Sequence, residues 1–296
     1  MAKQAAVTSA QLLRRHSVWR LSIKILGVFL FLIAGWSLRH WAVEGVRIPD
    51  NALHPAYKSG AWVWVCKLPI CLDKAQAGDL LLLETPTGER IIRQIAAIPG
   101  EDLTGEQNGR IEGKTFKRIL REDSWFIEKA TLHAPRKGDT LRFATLAPAQ
   151  FDLSLRLLRE QNPNIKYRVV PSLWLDSGKA PLEKAQAAEI HGIPIRLKEL
   201  GSMSWQELQL VQMQILRSEL GTTQATIRRE VWQDTTRLDA FTVQQDCFFA
   251  LCLRGRDCVD SRELGYIPRN RALGVQFSAG FLAIFRTWIF PTGETK

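Results

Sequence analysis

The chain has 296 residues, of which 46% are hydrophobic and 24% are charged. This composition is typical of a globular protein and excludes a disordered, collagen-like or coiled-coil chain. Its 40 Lys and Arg residues exceed its 30 Asp and Glu residues, which gives a net charge of +10. The length predicts roughly two compact domains of about 150 residues each. The positive charge points to anionic lipid, nucleic acid or an acidic substrate as partners.

The first 45 residues predict a membrane anchor. No Asp or Glu precedes Glu44, and an apolar run covers residues 25–38. Counted from residue 18 to residue 43, the apolar stretch reaches the roughly 20 residues that a bilayer core requires. Basic residues lie on its N-terminal side, at Lys3, Arg14, Arg15, Arg20 and Lys24. We therefore predict a cytoplasmic segment over residues 1–17 and a transmembrane helix over residues 18–43. A cleaved signal peptide and a buried core helix are the alternatives.

The remainder of the chain predicts a mainly β, α+β fold. Residues 44–101 and 241–296 carry short alternating or apolar runs bounded by turn residues, which is typical of β-strands. Residues 102–240 differ in character and predict a large α/β insertion within that β domain. Three helices are predicted in the insertion, at Phe151–Gln161, Pro181–His191 and Ser204–Gly221. Ser204 and Glu207 predict a capping box at the start of the third helix. After Ala272, the apolar stretch to Phe290 predicts a final strand and a membrane contact, with a weak second span as the alternative.

The five cysteines show no spacing typical of structural zinc, and we predict neither a metal nor an organic cofactor. Cys66 and Cys71 are near enough in sequence to form a short disulfide, with free thiols as the alternative. An odd count leaves at least one thiol unpaired within the chain. Trp62 and Trp64 share one face of an alternating strand, and we expect them at the membrane interface instead of in the core.

Three segments in chain order carry motifs. They are IPDNALHP at residues 48–55, RQIAAIPGE at residues 93–101, and FFALCLRGRDCVDSRELG at residues 248–265. Together with the predicted anchor, these motifs resemble the bacterial type I signal peptidases, membrane-anchored serine endopeptidases that remove signal sequences. The resemblance implies an antiparallel β catalytic-type domain. It also implies a structural motif kept at Asp260, Ser261, Arg262 and Gly265.

The chain departs from this family at each position to which the resemblance gives a chemical role. Ala52 lies at the nucleophile position and Arg93 at the general-base position. A methyl group cannot attack a carbonyl, and a guanidinium stays protonated in proteins and accepts no proton. Asp50 lies at the oxyanion-binding position, where an ionised carboxylate would repel the oxyanion. Cys258 lies at the position of the Ser that orients the base. These four substitutions together predict an inactive site.

The substitutions also predict a new contact and a remaining binding function. Asp50 and Arg93 replace groups that meet in one cleft in the family, so we expect them to form an ion pair. An extended peptide can still bind by backbone hydrogen bonds, which do not need the missing hydroxyl. The residues expected to contact such a substrate are Leu53, Pro55, Ile92, Ile95 and Ala96.

The favoured interpretation is a single-pass protein of the cell (inner) membrane that resembles signal peptidase I and lacks its activity. Its N-terminus is expected in the cytoplasm and its main domain outside. Expected partners are membrane lipid, signal peptides or preproteins, and an active paralogue. The alternative is an active type I signal peptidase with a shifted or atypical dyad, built from His54, Lys58 or Ser59, or using Cys258 as nucleophile. Nucleic-acid binding is not expected, because the basic residues are dispersed and no aromatic-interleaved basic stripe is present.

Overall fold

The computed structural model describes 13 stretches of the chain, and the text below concerns these residues alone. They are residues 24–33, 35–37, 41–54, 56–103, 110–111, 114–115, 132–175, 178–180, 188–190, 193–195, 197–218, 224–253 and 258–277. The chain forms two compact units. The first unit contains the described residues within 1–47, 62–74 and 274–296, and the second those within 48–61 and 75–273.

Besides the helical residues 24–33 and 35–37, the described part of the chain contains nineteen short strands and four α-helices. In chain order, the strands are β1 (Val43–Arg47), β2 (Trp62–Cys66), β3 (Leu80–Glu84), β4 (Arg90–Ala97), β5 (Asp102–Leu103), β6 (Arg110–Ile111), β7 (Lys114–Thr115), β8 (Leu132–His133), β9 (Thr140–Arg142), β10 (Tyr167–Leu175), β11 (Gly178–Ala180), β12 (Ala188–Ile190), β13 (Ile193–Ile195), β14 (Ala225–Gln233), β15 (Thr236–Leu238), β16 (Ala240–Thr242), β17 (Cys247–Leu251), β18 (Ile267–Pro268) and β19 (Ala272–Gln276). The helices are α1 (Pro69–Asp73), α2 (Pro148–Gln161), α3 (Trp205–Ser218) and α4 (Ser261–Leu264), and three 3₁₀ turns cover Phe143–Thr145, Leu197–Gly201 and Arg269–Arg271.

In the first unit, β2 pairs antiparallel with β1 on one side and with β19 on the other. Gly274 on β19 allows this pairing, because a Cβ at that position would lie 2.5 Å from the carbonyl oxygen of Cys66. Cys66 forms a disulfide with Cys71 on α1, so the predicted pairing of these two cysteines is confirmed. Trp62 and Trp64 are exposed by 68% and 62%, on the face of β2 opposite its buried valines.

The second unit contains an antiparallel sheet in the order β3, β4, β17 and β18. Its strand β3 is the leucine run of residues 80–83, which is buried on both faces. A continuous apolar run is the pattern expected of a strand with both faces covered. A tight turn at Gly88, whose φ is +84°, connects β3 to β4. Of the polar residues that the resemblance singled out, Arg93 lies on this sheet, on β4.

A further antiparallel sheet of the second unit has the order β11, β10, β14 and β15. Leucines and an isoleucine of α3 pack against one face of β10 and β14. The predicted helices at 151–161 and 204–221 are confirmed as α2 and α3. The predicted capping box of α3 is confirmed as well, because the Ser204 backbone N–H donates to Glu207 and the Glu207 N–H to the Ser204 hydroxyl.

The helix predicted over residues 181–191 is wrong at its C-terminal end, where residues 188–190 form β12 and pair with β13. Gly192 and Pro194 follow closely in the sequence, and glycine and proline break a helix more strongly than the preceding alanines favour one. Residues 181–187 lie outside the described part of the chain. The predicted domain boundaries at 101 and 241 stay a prediction.

At the N-terminus, residues 24–33 and 35–37 are helical. Strand β1 begins at Val43, the last residue of the predicted anchor. Within the described residues, no helix has both the length and the apolar character needed to cross a membrane. Residues 18–23, 34 and 38–40 of the predicted anchor lie outside those residues, as do the N-terminal segment 1–17 and the tail beyond residue 277. The mainly β, antiparallel fold class is confirmed.

Candidate functional site

Arg93, on β4, is the largest fully buried side chain of the described residues, with 2% of its surface exposed. Its Nη2 lies 3.0 Å from Oδ2 of Asp50, so the predicted ion pair is confirmed. Its Nε donates to the carbonyl of Val259 and its Nη1 to the carbonyl of Ile92, both at 2.7 Å. A buried charge is tolerated only when it is paired and hydrogen-bonded, and Arg93 meets both conditions.

The second carboxylate oxygen of Asp50 binds the backbone close to the same place. Oδ1 accepts a hydrogen bond from the Ala52 N–H at 3.1 Å. A short Asp side chain that binds the N–H two residues ahead forms an Asx turn. The Ala52 carbonyl in turn accepts the N–H of Leu253 at 2.8 Å. We call this arrangement of Asp50, Ala52, Arg93 and Val259 the Arg93 site.

Neither Ala52 nor Arg93 can serve as the nucleophile or the base of acyl transfer. The buried methyl of Ala52 offers no lone pair, and all three nitrogens of the guanidinium donate hydrogen bonds. An N–H that stabilises an oxyanion must point at the place where the negative charge develops. The Ala52 N–H already binds a carboxylate oxygen. These contacts join the loop that contains Asp50 and Ala52 to β4 and so hold that loop in place.

The four residues of the implied structural motif lie together at the turn after β17. The Asp260 carboxylate accepts the N–H of Cys252 and both the N–H and the guanidinium of Arg262. The Ser261 hydroxyl accepts the N–H of Ala250 at 3.0 Å. Gly265 ends α4 with φ +86°, a conformation that favours glycine. These contacts shape the segment whose Val259 carbonyl holds Arg93.

Cys258 forms a disulfide with Cys252, next to Val259. This pairing corrects the interpretation of Cys258 as a substitute nucleophile, because a disulfide sulfur carries no thiolate. The sulfurs of Cys252 and Cys258 and a carboxylate oxygen of Asp260 lie within 4.8 Å of one another. Both sulfurs are bonded to each other and the carboxylate is held by Arg262, so this group does not form a metal site in its present state. This disulfide was not predicted from the sequence, although a separation of six residues permits it.

The residues predicted to contact substrate lie in the interior. Leu53, Ile92, Ile95 and Ala96 each expose at most 1% of their surface. Ile92, Ile95 and Ala96 lie on β4, whose side chains are buried on both faces of the sheet. Pro55 lies outside the described residues. In this structure, these four side chains offer no accessible pocket, and their contact with a substrate stays a prediction.

The residues suggested for an atypical dyad are near in sequence but not joined in space by hydrogen bonds. Ser59 is exposed, and its hydroxyl donates to the carbonyl of Pro49 at 3.4 Å. His54 and Lys58 are exposed too. Over the part of the chain that the structure describes, no hydrogen bond joins Ser59 to either of them.

Asp79 begins the loop-to-strand entry before β3. Its carboxylate accepts the Gln76 N–H at 2.9 Å, and its pKa is raised because it is half-buried, an effect that this hydrogen bond partly opposes. Asp79 is not part of the Arg93 site. Its carbonyl accepts the N–H of Ile95 and so ties the loop to β4.

Residues 20–150 match the family model described as signal peptidase, peptidase S26. This segment includes the first two motifs, with Asp50, Ala52 and Arg93, and the strands β1–β4. Curated proteins gave no match. With three ordered motifs and an antiparallel β fold, this match makes the segment at residues 20–150 similar to the signal peptidase family, peptidase S26.

Proposed function

We propose that this protein is a membrane-anchored member of the signal peptidase family that binds signal peptides or preproteins without cleaving them. The observation that carries the proposal is the Asp50 carboxylate, which binds Arg93 with one oxygen and the Ala52 N–H with the other. In this arrangement a nucleophile is lacking, a base is lacking, and the nearest oxyanion donor is occupied.

The size of the expected loss decides between a slow enzyme and an inactive one. In a studied serine protease, removal of the nucleophile and base lowers the turnover rate by a factor on the order of 10⁶. The remaining rate is still about 10³–10⁴ times that of the uncatalysed reaction in water. That remainder comes from the oxyanion hole and from binding. Because the Asp50 carboxylate accepts the Ala52 N–H, the part of this remaining rate that comes from the oxyanion hole is expected to be lost too.

Binding of a peptide does not require those groups. An extended segment can add to a strand through backbone hydrogen bonds, and these need no hydroxyl or base. Signal peptides and preproteins are the substrates of the signal peptidase family, so they are the first clients to test. An active paralogue, to which this protein would deliver or from which it would withhold clients, is the proposed protein partner.

The proposed location is the cell (inner) membrane, with the anchor at residues 18–43. Support comes from the apolar residues of the helical segment 25–33, which are exposed, and from the exposed Trp62 and Trp64. Two disulfides support an oxidising compartment outside the cytoplasm for the folded domain. Membrane extraction at alkaline pH tests the anchor, and N-terminal sequencing of the mature protein distinguishes it from a cleaved signal peptide.

The decisive experiment incubates the purified full-length protein with a preprotein whose signal ends in Ala-x-Ala. We expect a photo-crosslinked adduct and no cleavage. Cleavage that Ser59→Ala or His54→Ala abolishes would establish the alternative, an active enzyme with an atypical dyad. Cleavage that is equal in the wild type and both variants identifies a contaminating host peptidase. If no adduct forms, the proposed binding is refuted.

A further inference from the structure

A cavity of about 860 Å³ lies within the second unit, beside β14. Aromatic and aliphatic side chains form most of its wall, and they come from the segment at residues 143–151, from β10 and from α3. The residues that matter here are Phe143, Phe151, Trp174, Gln212, Met213 and Arg228. This volume is within the range of about 300–1,000 Å³ that is typical of ligand pockets. We call this cavity the β14 groove.

The β14 groove runs along a strand edge that no described strand covers. Strand β15 pairs only with the C-terminal end of β14, from Val231 to Gln233. Beyond Leu238 the chain leaves β14, because β16 pairs with β9 instead. Residues 225–230 of β14 therefore pair with β10 on one side only.

Strand geometry identifies the backbone groups that face this open edge. Gln233 and Thr236 flank a two-residue turn, so their N–H and C=O groups bond across to each other. Because these groups alternate sides along a strand, Ile227 and Arg229 direct theirs toward the same edge as Gln233. The Ala225 carbonyl agrees with this assignment, since it accepts a hydrogen bond from the Gln212 side chain of α3.

Among the described residues that line the β14 groove, one cation has no carboxylate partner. Arg229 is paired with Asp152 on α2, and Glu230 with Arg237 on β15. Arg228 is exposed, and its guanidinium stacks on the Trp174 ring, 4.4 Å from the ring centroid. Among the described residues, no carboxylate lies within ion-pair distance of Arg228. The aromatic ring holds this guanidinium at the groove while its donors remain available.

We propose that the β14 groove binds an extended apolar peptide that carries a carboxylate. The peptide adds as a strand to the edge at Ile227 and Arg229, its apolar side chains contact the wall around Phe143 and Met213, and its carboxylate pairs with Arg228. Main-chain hydrogen bonds supply affinity in this mode of recognition, and the pockets for alternate side chains supply selectivity. This site is separate from the Arg93 site and does not depend on the function proposed above.

Alternating backbone donors and acceptors favour a peptide over a lipid as the occupant. An acyl chain would fill the apolar wall but leave the N–H and C=O groups of Ile227 and Arg229 without partners, and buried polar groups without partners are costly. A peptide satisfies them at the usual strand spacing. A fatty acid therefore serves as a competitor in the test: if it binds with the same affinity as the peptide, the proposal is overturned.

The test measures fluorescence anisotropy with the full-length protein in detergent. The probe is a fluorescein-labelled, acetylated peptide of about six residues, a common strand length, in which valine and threonine alternate around one glutamate. The matched probe carries glutamine instead. We expect Arg228→Gln to raise the Kd of the glutamate probe about tenfold, the effect of one charge-assisted contact, and to leave that of the glutamine probe unchanged. An unchanged Kd for the glutamate probe overturns the role of Arg228.

The chain offers a matched pair of variants on α3. Met213 and Leu210 are exposed by 47% and 43%, but only Met213 lines the β14 groove. Met213→Glu should weaken binding of the glutamate probe by more than about tenfold, through lost apolar contact and like-charge repulsion. Leu210→Glu should leave it unchanged. Equal losses in the two variants, or no binding by the wild type, would overturn the proposal.

Hydrogen exchange gives a second, independent readout. In the free protein, the amides of Ile227 and Arg229 should exchange much faster than those of Thr226 and Arg228, which bond to β10. Bound peptide should slow Ile227 and Arg229 selectively. If both amides are already protected in the free protein, a segment of this chain itself covers the edge and the proposal is refuted.

Discussion

Arg93 and Arg228 carry the same guanidinium in opposite settings within one unit. Arg93 is 2% exposed and donates to an Asp50 carboxylate oxygen and to two backbone carbonyls. Arg228 is exposed and rests on an aromatic ring without a carboxylate partner among the described residues. The first arginine is fully occupied by groups of its own chain, whereas the second still has donors to offer.

This difference shows where the molecule can act on a ligand. At the Arg93 site, Asp50, Ala52 and Val259 satisfy one another and Arg93, so the contacts of this site stabilise the fold. At the β14 groove, backbone groups and a cation lie beside an apolar wall. The comparison therefore separates an arginine that serves the fold from one that we propose serves a ligand.

The largest effect on stability is expected when the Arg93 side chain is removed. Arg93→Ala should lower the free energy of unfolding by about 3 kcal/mol, because it removes a large buried side chain and leaves the carbonyls of Val259 and Ile92 without their donor. Arg237→Ala is the control, since its ion pairs with Glu230 and Asp239 are exposed and exposed pairs contribute little to stability. Denaturant unfolding measures both. Equal losses would contradict the contrast between occupied and available arginines.

A smaller effect is expected when the loop beside Arg93 is released. The double variant Cys252→Ser and Cys258→Ser should cost about 2 kcal/mol, the loop-closure contribution of a short disulfide loop. It should also speed exchange of the Leu253 amide, which bonds to Ala52. The Cys66–Cys71 disulfide closes a loop of similar length in the first unit. The double variant Cys66→Ser and Cys71→Ser removes it and should leave the exchange of the Leu253 amide unchanged. A Leu253 amide that responds equally to both double variants would show that the disulfide does not hold the Arg93 site.

Alkaline pH should weaken the sheet that contains Arg93. Burial raises the pKa of the Cys247 thiol on β17 and of the Tyr266 hydroxyl, and each ionises more readily in the unfolded chain. A raised pKa in the folded state means that stability is intact below the unfolded value and is lost above it. We expect a loss of roughly 1.4 kcal/mol per pH unit for each group, beginning for Cys247 near pH 9.0, the ordinary pKa of a thiol.

Cys247→Ala provides the control for this pH dependence. It removes the loss of stability that ionisation of the thiol causes and leaves the loss that ionisation of Tyr266 causes. The measurement is the midpoint of denaturant unfolding between neutral pH and about pH 10.5. A wild-type midpoint that does not fall above pH 9 would contradict the burial of both groups. In native protein at pH 8, Cys247 should also resist alkylation, since the thiolate is the reactive form.

The smallest effect is expected at Asp79, an acidic group outside the Arg93 site. Its pKa is raised by partial burial, so the ionised form is less favourable in the folded state than in the unfolded chain. Asp79→Asn should therefore raise stability at neutral pH by less than about 1 kcal/mol, and the gain should disappear as the pH falls through the ordinary range of a carboxyl near 4. The amide oxygen of Asn can still accept the Gln76 N–H. A loss of stability at pH 7 would contradict the prediction.

Local pattern was enough to predict much of the fold. The alternation of β2, the leucine run of β3 and the capping box of α3 each follow from neighbours in sequence, and each is present. The strand at residues 188–190 was missed, because its β structure depends on pairing with β13. The burial of Leu53 and Ile95 was missed for a related reason, since it depends on which parts of the chain pack over them in the fold.

The sequence by itself determined what chemistry this chain can perform at the family site, because a methyl group at residue 52 and a guanidinium at residue 93 keep their reactivity in any fold. Only the tertiary structure decided what those residues touch. The Val259 carbonyl that holds Arg93 is 166 residues away in the chain, and the partner of Cys258 and the uncovered edge of β14 likewise follow from pairings distant in sequence. Contacts of that kind depend on how the strands pair, and no local pattern of residues specifies them.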